Sequence, residues 1–307
     1  MKKPTLSIVI PVYKNYEMFY EYLELNKKYF IGCEVIVMND YPLKNITNSV
    51  KRICPEATVV NNRKNLGFAS NVNKGVQKAE RDYVFFMNSD VVLKDNSFIK
   101  VLEHFKKDKK LFAVGLAQEE EGGKIVGGNR GYFKNGFINH SHQPATTDQR
   151  LVANFWAEGG ASIFKRKLFI GLGMLDELYN PFYWEDIDLS YRAWKSGYKI
   201  LFDASVVVEH HHESTIGKYF QVKMILKIAF RNQLTFQWKN LTDRDLVSRH
   251  LTALPKYLLT PGFFDTVSRL PRILQTRKKT VKLFKKTDKE ILDMFSPVIP
   301  SEARNLA

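Results

Sequence analysis

Short continuous apolar runs alternate with segments of helical period along the first third of the chain. Residues 6–11, Leu-Ser-Ile-Val-Ile-Pro, form a β-rich run closed by proline. Residues 16–29 place Phe19, Tyr22, Leu23 and Tyr29 at helical spacing, and Val35-Ile36-Val37-Met38 reads as a second strand ended by Asn39-Asp40. The pattern then predicts a short helix over 46–53 and a strand over 58–60. Asn65-Leu66-Gly67-Phe68 opens another helix through Asn71, Asn73 and Gly75, followed by a strand over 83–87 and a helix over 98–105. Strands apolar at consecutive positions are buried on both faces. The alternation therefore predicts an α/β fold: a mostly parallel sheet, Rossmann-like, with helices on both faces. Right-handed crossovers bring the strand ends Pro11, Asp40 and Asp90 to one edge. That carboxyl edge is where open sheets bind ligands.

The strand over 83–87 runs into Asn88-Ser89-Asp90 before Val91-Val92-Leu93 resumes the apolar character. Such a triplet also serves as a turn, because these side chains bond to nearby backbone. Convergence with Asp40 and Pro11 tips the reading towards a ligand site. The dinucleotide fingerprint Gly-x-Gly-x-x-Gly is absent after the first strand, where Pro11-Val12-Tyr13-Lys14-Asn15 stands instead. Nicotinamide chemistry is excluded on that ground.

Later the pattern changes. Residues 111–116 read as a strand, and the glycine-rich stretch 122–136 as a hairpin or a mobile loop without the lysine of a phosphate cradle. Residues 139–149 read as loop, with His140 and His142 taken as solvated. Phe155-Trp156-Ala157-Glu158-Gly159-Gly160 leads into a strand, and its glycines let backbone approach a ligand. Glu185, Asp186 and Asp188 fall in the first turn of a helix ended by Gly197, behind the aromatic run Phe182-Tyr183-Trp184. The helix dipole stabilises acids there, so capping competes with catalysis as an explanation. The strand over 206–208 delivers Glu209-His210-His211-His212, and a histidine at a strand end is a candidate ligand or acid/base group. Residues 219–238 are helical in period, with Lys223, Lys227 and Arg231 among Ile, Leu, Phe and Met.

Composition refines this picture. The 307 residues, 44% hydrophobic and 26% charged, suit one large domain or a domain plus an appendage. Cys33 and Cys54 have no metal-ligand spacing and read as reduced thiols of a cytosolic protein. No signal-peptide pattern or run of apolar residues long enough for a membrane span is found, which predicts a chain neither exported nor integral. The net charge of +15 gathers late, from Arg269 to Lys286. Without zinc spacing or an RNA-binding aromatic motif, nucleic acid is set aside. Basic residues interleaved with the apolar stretches 258–264 and 281–284 suit an anionic membrane surface. Residues 296–307, with two prolines, are expected to be a disordered tail.

Taken together, the motifs 7–13 (Ser-Ile-Val-Ile-Pro-Val-Tyr), 37–40 (Val-Met-Asn-Asp), 65–75, 87–91 (Met-Asn-Ser-Asp-Val), 158–164 (Glu-Gly-Gly-Ala-Ser-Ile-Phe), 184–192 and Arg231-Asn232 resemble a family 2 glycosyltransferase of the GT-A type. They are most similar to its rhamnosyltransferase-like branch, over roughly residues 6–238. The resemblance implies an inverting transfer of a sugar, rhamnose by analogy, from a dTDP- or UDP-type nucleoside-diphosphate donor. The acceptor implied is a hydroxyl of a glycan or lipid-linked molecule in bacterial surface polysaccharide synthesis. It implies a divalent cofactor, Mn²⁺ or Mg²⁺, held by Asp90 and His210, and a donor pocket of Pro11, Tyr13, Asp40, Asn65, Gly67, Asn71, Asn88, Ser89 and Asp90. It also implies Asp186 as general base beside Glu185, and Gly159, Gly160 and Trp184 on the acceptor side. Asp188 is taken as a structural acid. Two departures stand out: Asn88 occupies the first position of the usual Asp-x-Asp metal motif, and Asn39-Asp40-Tyr41-Pro42 ends the second strand. The expected organisation is a GT-A domain over 1–215, with a donor half to about 115 and an acceptor half over 116–215. A helical region over 216–295 follows, then the tail. The expected location is cytoplasmic, peripheral at the inner face of the cell membrane. A sugar-phosphate nucleotidyltransferase and a non-catalytic basic protein are the competing readings; the first wants a glycine-rich loop where Pro11 to Asn15 stand.

Overall fold

The computed structural model describes residues 6–142, 151–211 and 215–295. The expected tail at 296–307, the loop reading over 143–149, and His212 lie outside these. In chain order the first half comprises β1 (Leu6–Val12), α1 (Tyr16–Asn26), β2 (Glu34–Asn39), α2 (Thr47–Ile53), β3 (Thr58–Asn61), α3 (Phe68–Lys78), β4 (Tyr83–Met87), β5 (Val91–Leu93), α4 (Leu102–Lys107) and β6 (Leu111–Glu119). Then come β7 (Ile125–Val126), β8 (Asn129–Lys134), β9 (Phe137–His142), β10 (Leu151–Ala153), β11 (Ala161–Lys165), α5 (Arg166–Gly171), α6 (Glu185–Lys195) and β12 (Lys199–His210). The helices α7 (Thr215–Tyr219), α8 (Val222–Asn240), α9 (Arg244–Ala253), α10 (Phe263–Ser268), α11 (Leu270–Thr280) and α12 (Asp288–Asp293) complete it.

The main sheet runs β10-β12-β6-β11-β4-β1-β2-β3. Pairs within β3, β2, β1 and β4 are parallel, and β12 is parallel to β6. Only β11, antiparallel to both β4 and β6, is inserted between the two parallel sets. Consequently β1, β2, β3, β4, β6 and β12 all point the same way, and their carboxyl ends share one edge. Strand alternation divides the core as the apolar runs require: Val84 and Phe86 of β4 join one buried cluster, Phe85 and Met87 the other. Helix α3 approaches β1 closely because residue 75 is glycine. A Cβ there would stand 2.6 Å from Val9 Cγ1.

Two departures from the sequence reading have simple causes. The expected loop over 139–149 is strand as far as His142. Asn135-Gly136, with φ of 56° and 84°, makes a tight turn that folds β9 back on β8 from Lys134↔Phe137 onwards. The same turn shows the glycine-rich stretch to contain a hairpin.

The helical region after β12 packs into the main core. Phe236, Leu241, Leu246, Ile291, Leu292 and Phe295 share one apolar cluster with Val84, Phe86 and Trp194. Asp288, at the start of α12, accepts from Lys195 Nζ at 2.8 Å and Tyr191 OH at 2.6 Å of α6, and both ion-pair side chains are fully buried. Lone buried charges are costly, so removing either end of such a pair costs about 3–5 kcal/mol. A chain ended after Trp238 is therefore expected to lose its cooperative thermal transition, followed by circular dichroism. A cooperative transition near that of the whole chain would mean that the later helices are an independent appendage.

Candidate active site

The shared edge opens into a cavity of about 640 Å³, and all the site residues named from the sequence line it. Pro11, Tyr13 and Asp40 come from the ends of β1 and β2. Asn65, Gly67 and Asn71 come from the loop before α3 and its first turns, and Asn88, Ser89 and Asp90 follow β4. Gly159 and Gly160 precede β11, Trp184, Glu185 and Asp186 open α6, and His210 ends β12.

Asp90 and His210 meet because β5 runs antiparallel to β12, with Val91 opposite His210. His211 N donates to Asp90 O at 3.1 Å, and His210 Nε2 lies 3.2 Å from Asp90 Oδ1. Glycine at 160 leaves room beside this pair: a Cβ there would stand 3.3 Å from Asn88 Nδ2, Gln118 Oε1 and His210 Cε1. One carboxylate and one imidazole make an open partial site. A hard dication would take its remaining oxygen ligands from diphosphate and water, so these residues fit Mn²⁺ or Mg²⁺ arriving with a nucleotide. Among the described residues no group of three His, Cys, Asp or Glu could close around a metal without such help.

Asp40 is buried and holds the neighbouring loop. Its carboxylate accepts from Leu66 N and Asn62 Nδ2, each at 2.9 Å, and from Gly67 N at 2.9 Å. Burial raises its pKa, and the Leu66, Asn62 and Gly67 bonds oppose that rise. Three donors leave roughly one of the four acceptor positions of a carboxylate for a ligand. Asn71 is likewise committed, accepting from Asn62 Nδ2 at 2.7 Å and donating to Met38 O at 3.0 Å. Gly67 has φ of 81°, and a Cβ on it would strike Asn180 Oδ1 at 2.7 Å, so a side chain is excluded there. At the outer end of the cavity, Lys14 Nζ lies within 5.3 Å of the ring centroids of Tyr13, Tyr41 and Tyr219.

Across the cavity the start of α6 is set by its own chemistry. Tyr183 and Trp184 hold φ of 72° and 75°, a conformation side chains resist. Asn232 of α8 fixes it, its Nδ2 lying 2.7, 2.8 and 2.9 Å from the carbonyls of Tyr179, Phe182 and Tyr183. Arg231 adds a bond of 2.7 Å to Asn180 O. This gives the Arg231-Asn232 motif a physical role.

The three acids at this turn occupy different environments. Asp188 is fully buried and accepts from Arg192 Nε (2.8 Å), Lys239 Nζ (2.8 Å), Tyr179 OH (2.9 Å) and Asn240 Nδ2 (2.7 Å). Burial alone would raise its pKa, but Lys239 and Arg192 outweigh it and hold the group down to about 2. Glu185 is pushed well above the carboxylate range, first by burial and then by the Asp186 charge. Asp186 faces the cavity and accepts from Ile187 N at 2.8 Å and Gly159 N at 3.2 Å. Burial lifts it to about 6 against those two bonds, and the nearby Glu158 charge adds to the rise. A carboxylate poised there is ionised at neutral pH and still basic enough to take a proton.

Sequence reasoning missed part of this wall. His140 and His142 stand on a strand and not in a loop, although each keeps an exposed face towards solvent. On β9 they share the face of Ile138, and they line the cavity. The His140 ring lies 4.7 Å from Trp156 and 5.3 Å from Trp184, and its surroundings, burial first and then His142, lower it to about 4. Glu158 accepts from Asn129 Nδ2 at 2.9 Å and from Gln118. The Asn-Gly turn was the signal that would have placed both histidines on a strand.

With this geometry, the glycosyl transferase family 2 model matches residues 7–173, more than half of the chain. The chain belongs to that family. This glycosyltransferase is 24% identical over 173 residues to the poly-β-1,6-N-acetyl-D-glucosamine synthase of Staphylococcus aureus, covering 55% of this chain. The match spans only 40% of the synthase. Among solved structures it resembles GalNAc-T7 with UDP, GalNAc and Mn²⁺, with a TM-score of 0.68 at 16% identity over 99% of this chain and 58% of that one. It also resembles the mannosyltransferase PcManGT of Pyrobaculum calidifontis in complex with GDP-Man and Mn²⁺, with a TM-score of 0.53 at 14% identity over 92% and 75% of the two chains. These likenesses establish the GT-A fold. Against family membership the nucleotidyltransferase reading falls away.

The Asp188 network yields a stability prediction. Asp188→Asn strands Lys239 and Arg192, and is expected to cost about 3–5 kcal/mol at neutral pH. A depressed carboxylate stabilises the fold above its unfolded pKa of about 3.9 and stops doing so as pH falls through its folded value. Urea unfolding should therefore show the gap between parent and variant closing from about pH 4 towards about pH 2. A gap independent of pH would contradict the assignment.

Proposed function

We propose that this family 2 glycosyltransferase is metal-dependent and inverting. In this reading it moves a sugar from a nucleoside diphosphate of dTDP or UDP type to a hydroxyl of a glycan or lipid-linked acceptor in polysaccharide synthesis. The observation that carries the reading is the placement of Asp186, held near pKa 6, in the same cavity as the Asp90–His210 pair. Bound beside Asp90 and His210, a divalent ion would neutralise charge developing on the diphosphate. Asp40, through the loop it holds, and Tyr13 would shape the nucleoside end. Asn88, an amide where the motif commonly has a carboxylate, would contact the donor and leave Asp90 as the motif's acidic ligand. Gly159 and Gly160 let backbone approach the reacting centre, and Trp184 offers an apolar face to the acceptor ring. Asp186 would take the proton of the attacking hydroxyl, with Gly159 N and Ile187 N orienting its carboxylate. One base and one displacement invert the anomeric centre. Within the family, the motifs resemble those of the rhamnosyltransferase-like branch, which makes dTDP-rhamnose the first donor to test.

Asp186→Asn is expected to lower turnover by at least about 100-fold, the low end for loss of a general base, with donor affinity and melting temperature nearly unchanged. In the parent, turnover should rise with pH and level off above about 6, where Asp186 is ionised, and the variant should lack this limb. If the sequence reading of a mere helix cap were right, Asn would serve equally well and activity would survive. Asp90→Ala is expected to abolish Mn²⁺-dependent donor binding in isothermal titration while the thermal transition persists. Binding unchanged by Mn²⁺ in both proteins would overturn the metal assignment.

A further inference from the structure

One buried acceptor on the cavity wall has no donor among the described residues. Gln118, next to last in β6, is 1% exposed and lines the cavity, yet its Oε1 accepts no hydrogen bond there. Leaving a buried polar atom unpaired is costly, so such an atom points to a partner from outside the chain. Its orientation is fixed from behind. Nε2 of the same amide donates to Glu158 Oε2, and the other Glu158 oxygen accepts from Asn129 Nδ2 at 2.9 Å. A carboxylate offers only acceptors, so the amide cannot turn its own oxygen towards Glu158.

That oxygen faces Gly160 instead. A Cβ on Gly160 would stand 3.3 Å from Gln118 Oε1, from Asn88 Nδ2 and from His210 Cε1. The Asn88 backbone is tied to the same residue, its N donating to Gly160 O at 2.9 Å. An acceptor and a donor thus flank one small space, near enough for a single group to reach both. A bare cation would meet the amide N–H of Asn88, and an anion would meet the lone pairs of Gln118 Oε1. A hydroxyl suits both, because it donates one hydrogen and accepts on its lone pairs.

Position indicates whose hydroxyl it is. Asp90 and His210, 3.2 Å apart, stand to one side of Gly160, and on the other Gly159 N donates to Asp186 Oδ2 at 3.2 Å. With the diphosphate on the first side and the attacking acceptor on the second, the group between them is the transferred sugar. We infer that Gln118 Oε1 accepts a hydrogen bond from one ring hydroxyl of the donor sugar, while Asn88 Nδ2 donates to the same hydroxyl oxygen. Glu158, itself held by Asn129, keeps the Gln118 amide turned for this contact. The inference rests on the glycosyltransferase reading and deepens it. The site selects donors with a hydroxyl at the ring position facing Gly160 and rejects sugars deoxygenated there, because a buried amide would be left unpaired.

The test is isothermal titration of the full chain in Mn²⁺ with two pairs, dTDP beside dTDP-rhamnose and UDP beside UDP-glucose. Gln118→Met keeps the length of the side chain and removes the amide. It should weaken binding of the nucleotide sugar roughly five-fold or more, the weight of one neutral hydrogen bond, and leave the bare nucleotide unchanged. Gln118→Asn is one methylene too short to reach both Glu158 and the sugar, and should do the same. Melting temperatures of both variants report their folding. The donor that binds is then tried as its mono-deoxy and monofluoro forms. In the parent, deoxygenation at one ring position should cost a similar factor, and fluorine there should not restore it, since fluorine cannot donate. In Gln118→Met the same deoxygenation should cost nothing further. Equal affinity of parent and variants for the nucleotide sugar would overturn the proposal and leave Gln118 as a brace for Glu158. Equal weakening of bare nucleotide and nucleotide sugar would overturn it in favour of a ligand to the cation. A parent that binds neither nucleotide would sink the donor reading itself, and this inference with it.

Discussion

The rest of the catalytic half depends on one carboxylate that never meets solvent. Asp188 receives Arg192 from its own helix, Tyr179 from the loop before it, and Lys239 and Asn240 from α8. A buried charge satisfied from three directions cannot shift without stranding several partners. That rigidity positions Asp186, two residues earlier, where the helix begins. Close by, three acids have been driven apart: one held down to about 2, one lifted to about 6, and one pushed well above the usual carboxylate range by burial and the Asp186 charge. Sequence proximity says nothing of this separation. It follows from which side chain faces Lys239 and which faces the cavity.

Strand direction supplies the other half of the site. Reversal of β11 between β4 and β6 leaves six strands pointing one way, so residues from 11 to 210 collect at one edge. The groups proposed for the donor and acceptor sides then line one cavity together with Gly159 and Gly160. Gly160 matters here as an absence of volume, since any side chain would press on Asn88, Gln118 and His210 together.

Much of this was legible before the coordinates. Continuous apolar strands required a sheet covered on both faces, and crossovers of fixed hand required Asp40 and Asp90 to share an edge. What could not be read were contacts made at a distance by polar side chains. Asn232 gripping three carbonyls and Asp40 spending its oxygens on Leu66 and Gly67 have no local pattern. His140 and His142 were misplaced for a different reason: the Asn135-Gly136 turn outweighed the polar composition that suggested a loop. Chain length left open whether the helices after 215 form an appendage, and the Asp288 and Phe295 contacts join them to the main core.

Asn232, which braces the turn before Asp186, bears on the order in which the cavity walls take shape. Its partners at Tyr179, Phe182 and Tyr183 are made about fifty residues before it, and the Lys239 and Asp288 contacts that steady the same helix come later still. A chain still emerging from the ribosome can fold its donor-side strands long before the opposite wall is braced. Such a partial chain lacks the bonds that hold the Tyr183-Trp184 turn and, with it, the position of Asp186. An ordered start of α6 thus waits for the residues from Asn232 to Asp288 to be made.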